Sequence, residues 1–201
     1  GDTRLMSDRT ARLCAEVLEH LEPIDFPKEH GISVPAAFLK EVFPDATMVP
    51  ITLKFGTSER DLNQLLAAIE TLDLSQTLIV ASVDFSHYVS EQVALANDQR
   101  TIFTLEKMEL TLAKGEMDDF NLLENLRAIA RTEKEPEGET ATDAIAFDSP
   151  ESLYVLIRLM ERQNALDFNL WKRTSSASLT GIEDPLQNTS HLFGWFQTSE
   201  N

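Results

Sequence analysis

Residues 77–83, Thr-Leu-Ile-Val-Ala-Ser-Val, form an unbroken run of apolar and small residues that ends directly on Asp84-Phe85-Ser86-His87-Tyr88. Seven residues are too few for a typical helix, and the run lacks the alternation of a strand with one wet face. A strand buried on both faces meets both constraints, and such strands belong to sheets covered by helices on each side. Upstream, residues 47–55 (TMVPITLKF) are rich in β-branched and apolar side chains, and residues 58–72 read as an amphipathic helix capped by Ser58. Strand, helix and strand at this spacing predict a right-handed βαβ crossover, with Pro50 at an edge or a bulge.

Further helices are predicted over residues 7–21, where Leu13, Cys14, Val17, Leu18 and Leu21 form one stripe, and from a Ser33 cap and Pro35 first turn to Val42. Residues 90–114 and 118–131 read as two more, and Asp148-Ser149-Pro150-Glu151 starts another that runs to Arg162. Strands at 168–172 and 191–198 close the chain, joined by a polar loop over 175–190. The expected fold class is α/β: three layers, with a central mixed, largely parallel β-sheet covered by helices, in one domain over 1–201. The chain opens on Gly1 rather than Met, and if the gene product extends upstream, amino-terminal strands there would complete that sheet.

Charge narrows the partners. At a formal −17 the surface repels phosphate backbones and anionic membranes on average, because such binding draws on Lys and Arg. No run reaches the roughly 18–20 apolar residues of a membrane helix. One cysteine, Cys14, leaves neither an intrachain disulfide nor a multi-cysteine zinc shell. A reducing, cytoplasmic compartment fits, with no nucleic acid and no membrane as partner.

Glycine-rich phosphate loops, HExxH, CxxC and GxSxG are all absent from the sequence, which leaves four histidines, His20, His30, His87 and His191, as the source of chemistry. Ligands in open α/β sheets bind beyond the carboxyl ends of the strands, where the 77–83 run delivers Asp84 and His87. A carboxylate near an imidazole fixes its tautomer and raises its basicity, as a general base requires. The bland alternative has Asp84 capping a turn and His87 packed on Tyr88. Ser86 and Tyr88 flank the pair as substrate contacts, and His191, in NTSHLFGWF, serves either there or as a buried hydrogen-bonding residue. His30 follows Glu29 at a helix start. His20, among Glu16, Glu19 and Glu22, reads as a surface residue, and Cys14 as core.

Together EHGISVPAAFL, TMVPITL, VASVDFSHY and NTSHLFGWF resemble the Memo family, the "system protein B" associated with radical-SAM proteins, whose members carry an EHsxExxxPFL segment and then SSDFSHY. The resemblance spans most of the chain and is poor between Glu106 and Ala146. It implies the fold of class III extradiol dioxygenases, a metal ligand at His30, and a vestibule pair at His87 and Asp84 in the position of the dioxygenase base. It also implies divalent iron or copper as cofactor and a radical-SAM protein as partner. Two expected ligands are missing: no GPHAGY-type histidine precedes His30, and Ala177 stands where the family presents Cys or Asp.

Two readings follow. In one, the chain is a metal-dependent or redox-linked enzyme in which His87 moves a proton and Asp84 orients it. In the other, it is a non-catalytic module that keeps the pocket to bind a small molecule or a peptide.

Overall fold

The computed structural model describes residues 28–108, 112, 122–131, 145–182 and 184–198. The helix expected over 7–21, with Cys14 and His20, lies outside the described residues. The chain divides into two compact units that meet at the Ser82–Val83 peptide.

The first unit contains α1 (His30–Val42) and α2 (Glu59–Glu70). Helix α1 starts earlier than the Ser33 cap predicted for it. The Glu29 carboxylate accepts from the Gly31 N–H at 3.1 Å and serves as the cap, which carries Pro35 into the helix interior. In α2 the Ser58 hydroxyl accepts from the Asp61 N–H at 3.2 Å, as expected from the sequence. Leu62, Leu65, Leu66 and Ile69, three or four residues apart, are the buried stripe.

Residues 47–55 and 77–83 flank α2 but carry no strand pairing among the described residues. A strand exists only as part of a ladder, and Pro50 brings no donor to one. The apolar residues that were to be buried on both faces lie open instead: Ile51 is 41 %, Leu78 64 % and Val80 50 % exposed.

In the second unit, α3 (Glu91–Glu106), α4 (Leu122–Ala130) and α5 (Pro150–Arg162) precede a hairpin of β1 (Asp167–Ser175) and β2 (Ser190–Gln197). The short α6 (Ser176–Thr180) leads into the connection between the strands. Ser90 caps α3, and Ser149 with Pro150 starts α5, the latter as read from the sequence. β1 extends the predicted 168–172, β2 lies one residue before the predicted 191–198, and the two pair antiparallel. Isolated antiparallel bridges, Phe85 with Phe147 and His87 with Thr189, set residues 84–88 between residues 147–148 on one side and the start of β2 on the other. The architecture is thus mixed helix and strand, and the described strands pair antiparallel rather than in a largely parallel sheet. Among the described residues no helix is long and apolar enough to cross a membrane.

The core of this unit is Phe147, Leu122, Leu123, Leu126, Tyr154 and Ile157, where α4 packs on α5. Arg127 of α4 donates twice to one oxygen of Glu151, which is 1 % exposed, so the packed faces carry a paired charge as well.

Gly194 of β2 is a packing requirement. A Cβ there would come within 2.6 Å of the Phe168 ring and 2.8 Å of the Asn169 carbonyl oxygen. The ring could rotate but the carbonyl belongs to the ladder, so Gly194→Ala is expected to cost about 1–3 kcal/mol by overpacking. Urea unfolding checks this, and an unchanged midpoint would show that the hairpin yields freely.

Candidate functional site

The residues 84–88 are held by backbone on both sides. The Asp84 N–H donates to the Asp148 carboxylate at 3.0 Å, and the Asp148 N–H returns a bond to the Asp84 carbonyl at 2.9 Å. On the other side the Ser190 N–H donates to the Ser86 carbonyl at 2.7 Å, and the Tyr88 N–H to the Asn188 carbonyl at 3.0 Å. Alternation then sorts the side chains. Ser86 is fully buried and accepts from the Asn97 amide of α3 at 3.2 Å. His87, bridged to Thr189, shares the opposite face with His191 two residues along β2.

Tyr88 ends this segment at φ 60°, a left-handed conformation that costs a bulky residue about 1–3 kcal/mol. Asn188 holds it there. That residue is 2 % exposed; its carbonyl takes the Tyr88 N–H, its amide donates to the Val89 carbonyl, and its side-chain oxygen accepts from the Ala177 N–H. The Tyr88 ring therefore stays 59 % exposed and edge-on to His87, with ring centroids 5.3 Å apart.

Asp148 is the group that sequence reading missed as part of the site. Its local sequence reads as part of a helix start, and it does precede the Ser149 cap, but its carboxylate also interacts with Asp84 and His87. The protein around its carboxyl raises its pKa above the ordinary value, although the Asp84 N–H pulls the other way. The nearby Asp84 charge adds to the rise, and His87 opposes it. Nothing in the local sequence around residue 148 points to a partner 64 residues away.

Behind the hairpin, on the face turned to α3, lies a second charged group. Arg173 Nε donates to Asp98 at 2.8 Å and its Nη1 to Glu91, while Ser190 donates to Asp98 at 2.8 Å. Burial raises the Asp98 carboxyl, whereas Glu91, pushed up by desolvation, is brought below its usual value by bonds from Arg173, Ser175 and Asn188.

The structure thus gathers Asp84, His87, Tyr88 and His191 in the second unit, commits Ser86 to its core, and adds Asp148. The His191 Nδ1 is buried and finds no hydrogen-bond partner among the described residues. His30 belongs to the first unit, where it opens α1 with its side chain 78 % exposed and Nδ1 3.7 Å from the Glu29 carboxylate. Among the described residues no three His, Cys, Asp or Glu groups come together as metal ligands. Ala177, buried within α6, offers no side-chain donor. The described residues therefore do not supply the ligand set of an iron or copper site.

Comparison with known proteins finds relatives of this chain. A MEMO1 family protein of Caldivirga maquilingensis is 31 % identical over 112 residues, which cover 54 % of this chain and 40 % of the relative. One from Thermotoga neapolitana is 33 % identical over 99 residues, 48 % of this chain and 33 % of the relative. The matched stretches thus span two-fifths or less of these relatives' length. No solved structure matches. The family described as Memo-like protein matches residues 1–184, and by that match the chain belongs to the Memo-like family.

Proposed function

We propose that this Memo-like chain is a binding module that takes a small-molecule or peptide ligand against His87, with Asp148 and Asp84 as its acidic wall. The observation that carries this reading is the Asp148 carboxylate, tied to the Asp84 backbone through both its N–H and its side chain while interacting with His87. An acid with a raised pKa beside an imidazole can hold or release a proton as a ligand arrives, and the rigid ladder keeps both in place beforehand.

Asp148→Asn tests it. Asparagine keeps an acceptor for the Asp84 N–H but removes the charge. Because the folded-state pKa of Asp148 is raised, its contribution to stability is fully present below the unfolded carboxylate range and is lost as pH rises through the folded value. The variant is therefore expected to be at least as stable as the parent at pH 7. In an NMR screen of small molecules and peptides, shifts should cluster at 84–88, 147–148 and 189–191 and fade in Asp148→Asn and His87→Gln. Shifts that survive both substitutions would end this reading.

The metal-dependent or redox-linked enzyme, distantly related to extradiol dioxygenases, is the second reading, favoured by the exposed His30 imidazole at the EH motif. It predicts close to one equivalent of iron or copper in purified protein, lost in His30→Ala. In this reading the three-layer fold would be reached when the open runs 47–55 and 77–83 enter a larger sheet, which their exposed Ile51, Leu78 and Val80 support. A cytoplasmic location and a radical-SAM partner belong to the same proposal, supported by the family resemblance and the low cysteine content.

A further inference from the structure

The hairpin presents one face that the site at His87 does not use up. From Thr189, just before β2, the residues Thr189, His191, Phe193, Trp195 and Gln197 alternate onto that face, while Ser190, Leu192 and Phe196 turn the other way. Trp195 is 49 % and Phe193 48 % exposed. Trp171, the extra residue of a bulge between Leu170 and Lys172, is 73 % exposed and stands edge-on to Phe193 with centroids 6.3 Å apart. Three large rings left in water on one strip are unusual for a surface with no partner.

We propose that this aromatic strip is a docking track for an extended peptide carrying arginine or lysine side chains, whose end reaches His87. The inference rests on the binding reading above and names its ligand class. From the level of His87 at Thr189 to Gln197 is eight residues of strand, about 26 Å, longer than a small molecule spans and right for a peptide of similar length.

Charge selects the peptide's sign. Asp167, which accepts from Gln197 at 3.2 Å, closes the far end, and Asp148 with Asp84 closes the near end. Trp195 is oriented by its indole N–H donating to Gln197 at 3.1 Å. Indole and phenyl faces attract guanidinium and ammonium groups. Arg173 offers no cation here, because it turns to Asp98 and Glu91 on the opposite face. Lys172, paired with Phe193, is the one lysine or arginine of β1 and β2 on this face, and it sits mid-strip. A second copy of the chain, also at −17, would be repelled.

The test is fluorescence anisotropy with a labelled nonapeptide of alternating arginine and alanine, and a glutamate–alanine counterpart, on the full chain. Expected are at least tenfold weaker binding of the arginine peptide in Trp195→Ala and Trp171→Ala, a few-fold tightening in Lys172→Gln, and no binding of the glutamate peptide. Circular dichroism of each variant separates lost binding from lost fold, and Trp195→Phe should keep most of the affinity.

Equal binding of both peptides, indifference to both tryptophan substitutions in folded protein, or concentration-dependent dimerisation through the strip would overturn the track. Asp148→Asn separates the two claims. Weakening there with no effect of the tryptophans leaves the His87 site and removes the track. Weakening by the tryptophans alone leaves the track and removes the site.

Discussion

Replacing Arg173 with methionine is expected to destabilise the second unit by about 3–5 kcal/mol, because it strands a buried carboxylate. The Asp98 side chain is fully buried, and it takes its bonds from Arg173 and Ser190. Methionine fills much of the arginine's volume, so the loss reads the charge rather than a cavity. The pH dependence gives the mechanism. Burial already raises Asp98, and without the guanidinium it rises further, so its unfavourable ionisation is felt above the folded pKa and disappears as the group protonates. The gap between parent and variant should therefore narrow as pH falls from 8 toward 5. Adding Asp98→Asn to the variant should restore a large part of the loss. A gap that does not change with pH, or no gain from the second substitution, would mean that the loss does not come from the Asp98 charge. Chemical denaturation across that pH range is the measurement.

The elements that could be read in the sequence are those whose signals are local. Ser58 and Ser149-Pro150 each state a helix start through a hydroxyl and the orphan N–H groups three residues on, and both caps are found in place. The hairpin strands were legible because alternation and aromatic content survive without knowledge of the partner. Residues 47–55 and 77–83 show the limit. Apolarity states that a segment seeks burial, but strand pairing is a property of two segments, and the second was not identifiable from the first.

The same distinction runs through the site. The chain's DFSHY segment announced Asp84 and His87, yet Asp148 joins them by a contact across 64 residues, and its own neighbourhood reads completely as a helix start. Asp98 was hidden differently. It sits with Asn97 and Thr101 on the buried side of α3, where a polar residue in a helical pattern looks like solvent-facing surface until Arg173 and Ser190 are seen to satisfy it.

Phe147→Ala is the second large effect, expected at about 3–5 kcal/mol, and it ties core to site. Phe147 is 1 % exposed, forms the antiparallel bridge to Phe85, and holds its ring 6.4 Å from that of Phe85. The next residue is Asp148, so the backbone bonds that fix the acid beside His87 depend on the same pairing. Truncation should leave a cavity and loosen the bridge, and water entering there would relieve the desolvation that holds Asp148 up. The carboxyl should then titrate closer to its ordinary value of 3.8 in protein that is still folded. Phe147→Leu keeps most of the volume and should cost below roughly 1.5 kcal/mol, with the Asp148 titration unmoved. Carbon-detected NMR of the aspartate carboxyls, run beside urea denaturation, reads both. If alanine lowered stability by the expected amount while Asp148 kept its raised value, packing and site would be separate, and the acid's position would have to come from the Asp84 bonds alone.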